Sequence, residues 1–171
     1  MEQKSTLKLA MNYGAMLGMA LIMLSLLFYL LGLDRETWVG IVSYAVMIGG
    51  LYLSLKHARD QELDGYISYS KGLGLGTLIS LFAGILAAFY TYIFISFIDS
   101  GIVDFAMQEA YDNMLNQGMT EEEADQNMQI ATQFMTPGMI SVMGFFGYVF
   151  MGFIFSLVTS AIVKKENPDT F

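Results

Sequence analysis

The chain has 171 residues, 55% of them hydrophobic and 14% charged, with a mean hydropathy of +0.52 and a formal charge of −8. That balance is too apolar for a soluble domain of this length and implies one integral membrane domain over residues 1–171. Cysteine is absent, which excludes disulfides, thiolate metal sites and cysteine nucleophiles. The eight basic residues are scattered, and nucleic acid needs them clustered.

Four runs without Asp, Glu, Lys, Arg or His, at residues 9–31, 38–55, 72–98 and 138–163, approach or exceed the roughly 20 residues that cross a bilayer as a helix. The first follows Lys4 and Lys8 as a signal peptide would. It is too long, however, and no small-x-small cleavage site follows, so it reads as a retained anchor. If the four runs alternate in direction, Lys4, Lys8, Lys56, Arg59, Lys71, Lys164 and Lys165 fall on one side and Arg35 alone on the other. Short basic loops stay cytoplasmic. The expected topology is a multi-pass protein of the bacterial inner membrane with N and C termini cytoplasmic.

The segment 99–137 then lies outside the cytoplasm, carrying eight acids and no base. Within about 102–136, Val103, Ala106, Met107, Ala110, Tyr111, Met114 and Leu115 recur at helical steps, ending at Gly118. Thr120 with Glu123 has the form of a capping box, Glu121, Glu122 and Glu123 fill a first turn, and Ala124, Met128, Ala131 and Met135 make a second stripe before Pro137. The predicted fold is therefore all-α: an integral membrane bundle of four transmembrane helices with an extracytoplasmic, acidic two-helix hairpin between the third and fourth spans.

Small residues recur every fourth position: Gly72, Gly76, Ser80, Gly84 and Ala88 in the third span, Gly152, Ser156 and Ser160 in the fourth, and Gly14 with Gly18 in the first. Such ridges let helices approach closely and serve packing within the chain or a homodimer. "KGLGLGT" is not a phosphate loop, because its lysine precedes the glycines and a membrane helix follows. His57 sits among Lys56 and Arg59 and reads as a solvated loop residue. Met135, Met139 and Met143 share a four-residue spacing, but the line crosses Pro137 and methionine is a common filler of apolar gaps. Trp38, Tyr90, Tyr92, Phe94 and Phe97 mark an aromatic belt.

The order of "GYISYSKG", "AFYTYIFISFI", "NMLNQGMTEEEADQNM", "FMTPGM" and "AIVKKE" resembles a family of four-pass bacterial inner-membrane proteins catalogued only as a domain of unknown function. The resemblance spans nearly the whole chain and departs at "FIDSG", where proline is expected. It implies a fold and a location and carries over no catalytic residue.

Ionisable groups at membrane depth mark ion-coupled transport, and the four runs hold none. The expected function is that of a non-enzymatic interaction, accessory or scaffold protein, with a channel or carrier for a small or uncharged solute as the alternative. No cofactor, resident metal or catalytic residue is expected. The expected partners are the lipid bilayer and a membrane protein or second copy, with weak divalent cations at the outer hairpin. Glu121, Glu122, Glu123, Asp125 and Met128 would form its docking surface.

Overall fold

The computed structural model describes residues 5–166, so Lys4 lies outside the described residues. The helices are α1 (Thr6–Leu30), α2 (Thr37–His57), α3 (Tyr69–Ile93), α4 (Gly101–Asn116), α5 (Glu121–Phe134) and α6 (Pro137–Val163). Four of them, α1, α2, α3 and α6, are long and apolar enough to cross a membrane. The protein is membrane-embedded through these helices. Two continue as short π-helical turns: Ala58–Glu62 prolongs α2 and Phe94–Ile98 prolongs α3.

The chain divides into two compact units, Met1–Ala87 with Phe145–Phe171, and Ala88–Gly144. The first is organised around α3, whose buried face carries Gly72, Leu75, Gly76, Ile79, Ser80, Ala83 and Gly84. Leu9 of α1, Leu51 and Leu55 of α2, and Val163 of α6 complete its apolar core. Glycine sets how closely α1 approaches α3, since a Cβ on Gly14 would stand 2.6 Å from Phe82 Cβ and 2.8 Å from the Ile79 carbonyl. Trp38 meets Phe28 edge to face at 5.5 Å, tying the start of α2 to the end of α1.

The second unit holds the hairpin. Helix α4 ends in a Schellman turn, with Gly118 N–H donating to Leu115 O at 3.0 Å and Met119 N–H to Met114 O at 3.2 Å. Gly118 takes φ +90°, which a side chain would resist. The predicted capping box opens α5, Thr120 and Glu123 each accepting from the other's backbone N–H. Along both helices the predicted stripes are the less exposed faces, with Ala124 fully buried. Ala106 departs from the expectation: it is exposed, because it falls at the margin of the α4 stripe. At the "FIDSG" junction, Asp99 Oδ1 accepts from Gly101 N–H at 2.9 Å and starts α4 without a proline.

Candidate functional site

Two surfaces of the first unit carry most of its polar chemistry. One is the buried seam between α3 and α6. The helices run antiparallel with small residues in matched pairs: Gly72 faces Ser160, Gly76 faces Ser156, Ser80 faces Gly152 and Gly84 faces Tyr148. Each serine therefore stands opposite a glycine. The hydroxyls of Ser80 and Ser156 are satisfied inside their own helices, donating to Gly76 O at 3.0 Å and Gly152 O at 2.6 Å. Ser160 Oγ is buried without a hydrogen-bond partner among the described residues. The matched small residues let the two helices approach closely along this seam.

The other surface is where the chain between α2 and α3 folds against the end of α6. Ile67 and Lys165 exchange both backbone hydrogen bonds at 2.9 Å, an isolated antiparallel bridge. Arg59 Nη1 donates to Val163 O at 2.9 Å, while its Nε holds Asp60 Oδ1 at 2.7 Å. One guanidinium thus satisfies an orphan carbonyl at the α6 C-terminus, where the helix dipole favours positive charge. His57 is the last residue of α2 rather than part of a loop, and its ring meets Tyr13 of α1 edge to face at 6.0 Å. Its exposure to solvent is as expected.

The model of the family described as "Protein of unknown function (DUF4199)" matches residues 12–165. The chain belongs to that family. No curated protein and no solved structure matches it. The α3–α6 seam, the Arg59 contact and the whole hairpin lie within the residues that the DUF4199 model matches.

Within this DUF4199 domain the predicted ridges are brought together, except that Ala88 is only partly buried. The predicted hairpin residues have different fates. Glu123 is committed to the cap, and the Thr120 backbone N–H and hydroxyl hold its carboxylate below the usual range. Asp125 receives the Tyr111 phenol, whose pKa is raised by desolvation and then by the Asp125 and Glu121 charges. Glu121 and Glu122 are exposed and Met128 is half-buried. Among the described residues no three His, Asp or Glu side chains converge to hold a metal ion. In the aromatic belt, Trp38, Tyr92 and Phe97 are exposed, but Phe94, the first residue of a π turn, is buried.

Three structural contacts lay beyond sequence reasoning: the Arg59 cap, the Ile67 bridge to Lys165, and the serine-to-glycine register. The first two join residues far apart in sequence with no periodic signal. The ridges did signal the third, without naming which partner faces which.

Proposed function

We propose that this protein is a non-enzymatic accessory or scaffold component of the bacterial inner membrane that engages a membrane-protein partner through the α4–α5 hairpin. What carries this reading is the contrast between used and unused surfaces. The small-residue ridges of α1, α3 and α6 are consumed within the first unit, leaving little of them for a second copy. The hairpin instead keeps Ile130 60% and Phe134 50% exposed on the helix that opens with Glu121, Glu122 and Glu123. Exposed apolar side chains with polar neighbours are the usual make-up of a recognition surface. Both termini are cytoplasmic in this reading and the hairpin lies outside, in keeping with the basic residues that flank the other helix ends. Divalent cations act there as diffuse screening rather than at a built site.

The test is a photo-crosslinking side chain at Ile130, compared with one at Glu109, in living cells. The reading expects one reproducible adduct from Ile130, identified by mass spectrometry, and none of it from Glu109. Passage of a small neutral solute through vesicles containing only this protein, with no adduct, would replace it with the carrier reading.

A further inference from the structure

A cavity of about 470 Å³ opens between α1 and the end of α2, and its two ends differ chemically. At one end stand Met16 and Leu53, 68% and 63% exposed, both on uncharged stretches that face hydrocarbon in a bilayer. At the other stand Lys56, His57 and Gln61, just past Leu55, where the uncharged run of α2 stops. Tyr13 lines the groove as well, against the His57 ring. Asp60 also borders it, but Arg59 holds that carboxylate at 2.7 Å. Lys56 carries its ammonium 5.9 Å above the Tyr52 ring, on a stem long enough to swing toward the groove mouth.

We propose that this groove holds one anionic phospholipid of the surrounding bilayer, its acyl chain along Met16 and Leu53 and its phosphate against Lys56 and His57. The order of the two ends is the argument. Hydrocarbon is wanted at membrane depth and an anion at headgroup level, and a bilayer lipid presents both in that sequence. A free phosphate would satisfy only the polar end and leave the apolar end to lipid regardless. The proposal rests on the membrane placement of α1 and α2 alone, so the crosslinking result at Ile130 neither supports nor removes it.

The experiment uses the full chain with Trp38→Phe and Met16→Trp, which leaves a single indole at the groove, in phosphatidylcholine vesicles. Bromine-labelled phosphatidylglycerol or bromine-labelled phosphatidylcholine is added at equal mole fraction and indole quenching is read. The expected result is a roughly fivefold preference for the anionic lipid, the size one basic side chain supplies at a membrane surface. Lys56→Gln should abolish it. Lys164→Gln, which removes the same charge from an exposed position outside the groove, should leave it intact. Because the indole itself changes the groove, the wild-type chain is delipidated in parallel: phosphatidylglycerol should raise its thermal midpoint, and Lys56→Gln should lose that rise. Equal quenching by both lipids together with no rise in midpoint, or equal effects of the two lysine variants, would overturn the site. So would loss of the preference on adding inorganic phosphate but not chloride of equal ionic strength, which would assign the groove to a free anion.

Discussion

The hydroxyl of Ser156 occupies the space that any side chain on Gly76 would need: a Cβ there would stand 2.5 Å from Ser156 Oγ and 3.0 Å from its Cβ. Gly76→Ala should therefore destabilise the first unit by about 1–3 kcal/mol, the usual cost of overpacking. Adding Ser156→Gly should recover most of it, giving a coupling above roughly 0.5 kcal/mol in a double-mutant cycle of detergent unfolding. Gly49→Ala, which lies inside α2 and meets nothing within 4 Å, is the control and should be neutral to mildly stabilising. Gly84→Ile and Gly76→Ile should both reduce thermal resistance to aggregation, the latter more, because Gly84 has 3.3 Å of clearance to Tyr148.

Removing the Arg59 guanidinium strips the carbonyl of Val163 of a charged donor. Arg59→Ala should cost about 1.5 kcal/mol, the lower end for hydrogen bonds to charged groups, because the side chain is partly exposed. The sharper readout is amide exchange at Lys164 and Lys165, which should quicken. Exchange unchanged from wild type would show that the Ile67 bridge alone holds the end of α6.

In the hairpin, Thr120→Val should cost about 1 kcal/mol of α5 stability, as loss of an N-cap does. The pH response follows from the same cap. Glu123 binds its proton less tightly when folded, so its contribution is complete above the ordinary glutamate value of about 4.3 and is lost as pH falls through the lower folded value. Circular dichroism should show α5 helicity declining in that acid window, and Glu123→Gln should flatten the decline.

Tyr111 gives the opposite window. Its folded pKa is raised, so hairpin stability holds below about pH 10, the ordinary tyrosine value, and falls as pH climbs through the folded one. Phenolate absorbance should place Tyr111 above an ordinary tyrosine, and Asp125→Asn should bring it down. A phenol titrating at the ordinary value would mean the Tyr111 contact to Asp125 is not made.

Orientation is open to direct labelling, since the chain has no cysteine. Asn116→Cys and Ser70→Cys should react with an impermeant thiol reagent from opposite faces of the membrane. Reaction from the same face would reverse the reading of the basic residues.

The spans, the hairpin and the capping box were legible because each rests on local chemistry: uncharged length, helical spacing, and a threonine three residues before a glutamate. Arg59 was legible only as a loop cation. Its role depends on a π turn that the string "ARDQE" does not announce and on a carbonyl at the far end of the chain. His57 was misplaced for the same reason, since α2 runs on past the apolar stretch. Phe94 reads as a belt residue by type and position, and no local signal announces its burial at the start of the π turn.

The alternation of serine and glycine along α3 and α6 also restricts motion. Sliding one helix past the other by a single turn, about 6 Å, would in one direction set Ser80 against Ser156 and leave Gly84 facing Gly152 across a void. The reverse step would drive Ser80 into Tyr148 and open a gap between Gly76 and Gly152. Neither neighbouring register can be occupied without collision at one rung and emptiness at the next. Piston-like sliding of this pair by one turn is therefore opposed by its own side chains, which favours movement of the two helices together as one rod.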